Sequence, residues 1–597
     1  MERTDGRWDL TVLYKSFDDP AFEADIARLE AMMADYRRQV ETLAAGDGLT
    51  AAALADLLGR EEAMWVVGAD LHKFTEMTKE ADAGDARAVS AMDRLKKVFG
   101  SIAGETTVVR RWMGQLTISE EDRRNYPILE DYRFYIAEEA EKGRHMMDTP
   151  AEALLAKMQG CAGSTWTDLR GYLTSFAHAP LNGKELTLTQ LRGYIHHPDA
   201  ALRKAAFEAE LACSKTIEGG VCFALNSIKE HMNLMAEMRG YGDVMAMTMA
   251  QDRMQKETLD ALWDAVRDAL PKFHAYLTRK AKLLGHPNGL PWYDLCAGLG
   301  ESTAHFTPEE ARTYLVDLLG GFATDLGEMV DRAFREHWID FYPRPGKSGG
   351  AFCRNLSNQK QSRVLTNFEG NLDSVVTIAH ELGHAYHGQM IEDHRPLNRT
   401  YTMPVAETAS NFNETIVMNA AIQRASGQEK LALLEQRLQD YTQTICDIYS
   451  RFLFEEAVFA ERKKGFVFPD RLCQLMTQAQ VAAYGPGVDP DCLHPYMWVN
   501  KVHYYYTNLS FYNFPYAFGA LLANGLYTRY QQEGQPFVEK YRNFLRATTV
   551  STVEEATAAA GIDVTKKEFW AESLSVVTDQ IDEFLRLTQE VSGASMA

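Results

Sequence analysis

His380 and His384 stand four residues apart in the stretch His380-Glu381-Leu382-Gly383-His384. That spacing constrains the local fold more than any other feature of the chain. At about 3.6 residues per turn, a helix sends both imidazoles out of one face. There the pair can hold one zinc ion in its tetrahedral preference. Glu381, next to the first histidine, is placed to reach a water at the metal and act as general base. The flanks favour a helix with a buried side, because Val375, Ile378, Ala379 and Leu382 recur at helical spacing. Asn371 or Asp373 can cap its start, and Gly388 can end it. The plainer alternative, a surface helix with two stray histidines, would not need that apolar body.

A hydrolytic zinc site needs a third protein ligand and an open position. His387 projects about one turn past His384, and three donors along one straight helix cannot converge on an ion at about 2 Å. The longer metzincin pattern asks for Gly and His where this chain has His387 and Met390, so that class is excluded. Glu392 is too close in sequence unless the chain folds back sharply. A carboxylate on a second helix is the better candidate. Pro404 suits a first helical position, and Glu407, Asn411, Glu414 and Met418 then share a face. Carboxylates on an otherwise apolar helix are costly unless they meet a cation or metal. Glu407 is the expected ligand. Glu414 is its rival, expected otherwise to orient a histidine ring. A solvated acidic face is the alternative for both.

With Glu407-Thr-Ala-Ser-Asn-Phe-Asn-Glu414 following it, the histidine motif resembles the thimet oligopeptidase family of zinc peptidases, in its oligoendopeptidase F branch. The opening Trp8-Asp9-Leu10-Thr11-Val12-Leu13-Tyr14 and the stretch Gly346-Lys347-Ser348-Gly349-Gly350-Ala351-Phe352 are similar to that branch. So is His503 with Phe511-Tyr512-Asn513-Phe514-Pro515-Tyr516. The likeness spans essentially the whole chain. It implies a mainly α fold of two helical lobes enclosing a deep substrate channel, with one zinc per chain on its floor. It also points to His503 and one or two tyrosines as donors to the oxyanion that forms from the scissile carbonyl. Tyr512 is the first choice and Tyr516 the second. Tyr505 and Tyr506 are held in reserve, and Tyr504 is expected to pack.

Gly346-Lys347-Ser348 mimics the end of a phosphate-binding loop, but position 341 is Phe where that loop needs Gly. Gly349 and Gly350 are expected instead to let backbone approach something closely, and the resemblance implies that Gly349, Gly350 and Ala351 face the substrate. Arg363–Phe368 reads as an edge strand with which an extended peptide could pair. Other strand-like stretches also lie mostly between residues 338 and 370, giving a small sheet beside the motif helix.

No linker or low-complexity run divides the 597 residues. The expected organisation is an Ala-rich helical region over 1–190 and a catalytic region over 191–597. Phe22, Ile26, Leu29, Met33 and Tyr36 follow Asp19-Pro20 at helical spacing, and Thr307-Pro308-Glu309-Glu310 is another helix start. The net charge of −21 argues against a nucleic-acid partner, which needs a basic face. Eight scattered cysteines without metal-ligand spacing fit reduced thiols. With no apolar leader and no membrane-length run, a cytoplasmic protein is expected. The function read from these features is a zinc endopeptidase for short unfolded oligopeptides. Two alternatives remain: a zinc carboxypeptidase or dipeptidase, and a peptide-binding protein without turnover. Oligomeric state is not legible.

Overall fold

The computed structural model describes residues 6–46, 48–300 and 304–594. It is mainly α, as expected. The strands form a hairpin, β1 (His178–Leu181) with β2 (Lys184–Thr187), and a small sheet of β3 (Ile339–Asp340), β4 (Phe352–Leu356) and β5 (Gln361–Leu365). Several helices begin where a side chain satisfies free N–H groups of the first turn. Asp19 accepts from the Ala21 amide ahead of the helix Pro20–Ala45. Thr307 and Glu310 close a reciprocal capping box ahead of Pro308–Phe322.

The two largest apolar cores mark two lobes. One gathers side chains from Tyr14 to Ala140, with Phe22, Ile26, Leu29, Met33 and Tyr36 all inside it. The larger runs from Phe207 to Phe584. Among the described residues, no helix is long and apolar enough to cross a membrane.

The small sheet joins the lobes. Arg354 of β4 forms a two-pronged ion pair with Glu76 of the helix Ala51–Ala81, at 2.8 and 3.0 Å. Lys73 of that helix donates to the Asn355 carbonyl. The segment expected as an edge strand proves to be central: β5 is parallel to β3 on one side and antiparallel to β4 on the other. Its Ser362, Arg363, Val364 and Leu365 are buried. Pairing on both sides satisfies both backbone edges of a segment that has no water to turn to. The outer strand is β4, and no further strand pairs with it among the described residues.

The histidine motif lies in the helix Leu372–Ile391, capped by the Asn371 side chain, which accepts from the Ser374 amide. The helix continues past Gly388, its expected end. Gly388 serves a close approach instead, since a Cβ there would lie 2.3 Å from Asn355 Cγ. The single helix expected from residue 403 is broken. Met403–Ala406 and Thr408–Arg424 are separate helices, with Glu407 at the joint (φ −93°, ψ 4°). The motif helix and Thr408–Arg424 meet at Gly383, where a Cβ would lie 2.5 Å from both the Ala409 carbonyl oxygen and Ser410 Cα. Asn413 Nδ2 locks the pair by donating to the Ala379 carbonyl at 3.0 Å.

Gly383→Ala tests this contact by sign. In an open helix the change stabilises by about 1 kcal/mol. Against backbone it overpacks, which costs about 1–3 kcal/mol. A lowered thermal midpoint is expected, and an unchanged or raised one would show that the two helices part freely.

Candidate active site

His380 and His384 leave the motif helix toward Glu407 at the joint of the neighbouring chain. Glu407 Oε2 lies 3.2 Å from His380 Nε2 and 3.3 Å from His384 Nε2. These three are the one group of three or more potential metal ligands among the described residues. Four donors about 2.0–2.2 Å from a tetrahedral zinc stand about 3.3–3.6 Å apart, so the observed separations are close to those of such a site.

Proton accounting points the same way. His380 Nδ1 is bonded to Glu414 Oε1 at 2.5 Å. A neutral ring that donates there turns a lone pair, not a proton, toward Glu407. Two lone pairs 3.2 Å apart repel unless a cation or an extra proton stands between them. Burial opposes charging His380, but Glu407 and Glu414 outweigh it and push the imidazole up to about 10. Burial would raise the Glu407 carboxyl, and the two histidines reverse that and hold it well below the usual range. The pocket therefore stabilises positive charge, and the two imidazoles and a carboxylate are a donor set that suits zinc.

Neighbours orient these groups. Ser410 Oγ donates to Glu407 Oε2 at 3.0 Å. Arg437, buried and bonded to the Tyr441 hydroxyl at 2.9 Å, approaches Glu414 at 3.6 Å. Asn355 Nδ2 donates to the His384 carbonyl at 3.3 Å. Sequence reasoning named none of these. Ser410 has a local signal, one helical turn after Glu407, whereas Arg437 and Asn355 have none because only folding brings them near.

Glu381 is 5 % exposed. Its Oε2 is buried without a hydrogen-bond partner. Burial, the largest influence on it, raises its pKa. A carboxylate left this way is poised to take a proton. His387 stands apart from the group: it is fully buried, bonded to Thr548 Oγ1 at 2.8 Å and stacked on Tyr401 at 4.1 Å. Glu392 lies near Lys360, at 3.5 Å.

The C-terminal aromatic run divides by burial. Tyr504 and Tyr505 are fully buried, and the Tyr505 hydroxyl donates to the Trp498 carbonyl at 2.8 Å. His503, Tyr506, Tyr512 and Tyr516 stay partly open and cluster, with the His503 ring 5.2 Å from Tyr512 and 5.9 Å from Tyr516. The helix that carries Tyr516, Phe514–Glu533, touches the ligand group, because a Cβ on Gly519 would lie 3.2 Å from Glu407 Cβ. Burial, then the charges of Arg451 and Lys501, push His503 down to about 4, so its ring is neutral at pH 7. Burial first, then nearby groups including Glu407, raise Tyr512 and Tyr516. All three can therefore donate hydrogen bonds without carrying charge.

Gly349, Gly350 and Ala351 lie outside the ligand group, on the loop into β4. A Cβ on either glycine would meet nothing within 4 Å, and Gly350 has φ +78°. Asn367 Nδ2 holds the loop through the Ser348 and Gly350 carbonyls, at 3.1 and 2.9 Å.

Residues 323–576 match the profile of peptidase family M3. Oligopeptidase PepF of Bacillus subtilis is 23% identical over 87% of this chain and 79% of its own. An oligoendopeptidase F homolog of Lactococcus lactis is 24% identical over 98% of this chain and 97% of its own. Among solved structures, oligoendopeptidase-F from Enterococcus faecium superposes with a TM-score of 0.70 at 19% identity, covering 96% of this chain and 99% of that one. The chain thus carries a peptidase family M3 domain at residues 323–576 and, by that domain, is a metallo-endopeptidase.

Proposed function

We propose that this chain is a zinc-dependent endopeptidase that cuts internal bonds of short, unfolded oligopeptides. The convergence of His380 Nε2, His384 Nε2 and Glu407 Oε2 carries the reading. These three would hold one zinc, with Glu414 fixing the His380 ring. When bound, zinc supplies Lewis-acid polarisation of the scissile carbonyl and makes water a stronger acid. Glu381 accepts the proton of the attacking water and hands it to the leaving amine. The neutral His503 imidazole and the Tyr512 hydroxyl donate to the oxyanion as it forms, with Tyr516 behind them. An extended substrate lies along the Gly349-Gly350-Ala351 loop and the unpaired edge of β4. The relatives named oligopeptidases support short peptides as substrates. The catalytic machinery is assigned to residues 191–597, with 1–190 as the helical region beside it. Its scattered cysteines, seven of them free thiols in the described structure, suit the cytoplasm.

A peptide blocked at both ends tests the reading. Internal cleavage that stops with chelator and returns with zinc is expected. Products clipped only from a free terminus would make the enzyme a carboxypeptidase or dipeptidase, and no turnover would leave a binding protein.

The carboxylates should separate by role. Glu381→Gln should lower kcat by about 10²–10⁴-fold while zinc stays bound. Glu407→Ala should empty the site, and Glu414→Ala should weaken zinc only about 10–100-fold. Metal analysis after dialysis checks this, and zinc lost from Glu414→Ala but kept by Glu407→Ala would reverse the two assignments.

The phenols should separate too. Tyr512→Phe should lower kcat by about 10²–10³-fold with KM little changed. Tyr505→Phe, which loses a buried bond to the Trp498 carbonyl, should act on stability instead. A kcat for Tyr512→Phe within threefold of the parent would make that ring a packing residue.

A further inference from the structure

Behind the loop that carries His503 lies a cavity of about 360 Å³ in the larger lobe. None of His380, His384, Glu407, His503, Tyr512 and Tyr516 lines it. Its volume is within the range of small-ligand sites, about 300–1,000 Å³. Phe207, Trp292, Tyr293 and Tyr484 give it aromatic surface, and Arg192, Arg203, Glu210, Asp447 and Lys501 give it charge, Arg203 being engaged by Asp294 at 2.8 Å.

The charges are unevenly satisfied. Glu210 accepts from His494 Nε2 and Asn500 Nδ2, both at 2.9 Å, and lies 3.3 Å from Arg192 Nε. Asp447 accepts from Arg451. Both carboxylates are thus engaged. Lys501 reaches Asp447 only at 3.9 Å, beyond hydrogen-bond distance, although its side chain is just 19% exposed. Arg192 makes its one ion pair through Nε, leaving its terminal amino groups without a partner among the described residues. What the cavity has in surplus is therefore donors on two cations. Burial, the largest influence, joined by Arg451 and Arg192, pushes Lys501 down to about 8 against the opposing charges of Asp447 and Glu210. The wall includes a π-helical turn, Gln443–Asp447, that brings both Gln443 and Asp447 to the cavity. Such turns inside α-helices are frequent at functional sites.

We propose that this cavity binds a small apolar carboxylate, with its anion on Lys501 and Arg192 and its hydrocarbon body against the aromatic wall. A cation finds both carboxylates taken. A neutral apolar guest leaves the largely buried ammonium with Asp447 only at 3.9 Å. A dianion meets the repulsion of Glu210 and Asp447, whereas a single carboxylate balances the surplus.

Calorimetric titration of the zinc-loaded enzyme with 3-phenylpropionate, and with 3-phenylpropionamide as its uncharged counterpart, tests the site. Saturable binding of the acid is expected, at least about tenfold tighter than the amide, with Lys501→Met and Arg192→Gln each weakening it about tenfold or more. Arg192→Gln keeps the test open if the buried Lys501 position does not tolerate change. Equal binding of acid and amide, or no saturable binding at millimolar concentrations, would overturn the proposal. So would undiminished binding in both variants, the pattern of a carboxylate resting at the histidine centre instead.

Discussion

Two helices that meet at a glycine hold this site together. At Gly383 the motif helix lies so close to Ala409 and Ser410 that a methyl group would collide with backbone. That contact, with the Asn413 bond to the Ala379 carbonyl, sets the distance from the histidines to Glu407. Three carboxylates, Glu381, Glu407 and Glu414, then stand around two imidazoles. Such a group is costly to bury unless a cation joins it. The strain of assembling that charge is carried by apolar packing on the far side of both helices, where Val375, Ile378, Ala379, Leu382, Phe412 and Val417 are buried.

The opposite wall works by neutrality. Arg451 and Lys501 add to burial in keeping the His503 imidazole uncharged, and burial keeps the Tyr512 and Tyr516 phenols protonated. An uncharged donor interacts weakly with a neutral carbonyl and strongly with an oxyanion, so its help is concentrated where charge develops. The backbone contributes as well. Phe511 takes a positive φ of 56° beside Tyr512, and a buried aromatic is held in that conformation only when its surroundings demand it.

Strand β4 links these parts to the other lobe. It pairs with β5 on its inner side and bonds Glu76 through Arg354. Through Asn355 it reaches the His384 carbonyl. Ser362 Oγ donates to Asn355 Oδ1 at 2.8 Å, holding that amide in place. A shift of the helix Ala51–Ala81 would therefore be felt at the motif helix through one short strand.

Much of this was legible in order along the chain. The motif helix, its Asn371 cap, the capping box at Thr307 and the helical face from Phe22 to Tyr36 follow from periodicity and local hydrogen bonding, which act within a few residues. The pairing of His380 with His384 on one face is likewise local. The central place of β5 was not legible, because strand order depends on partners distant in sequence, and the same β-branched run suits an edge or a centre. The break at Glu407 was not legible either, since helix propensity alone favours continuing from Pro404. Arg437, Asn355 and the loosely paired Lys501 carry no sequence signal at all. By itself the sequence determined the residues of chemical interest and the helices that present them. The tertiary structure alone decided which carboxylate faces both imidazoles, which tyrosines stay open and which charges pair closely or loosely, because those depend on contacts and burial between segments far apart in the chain.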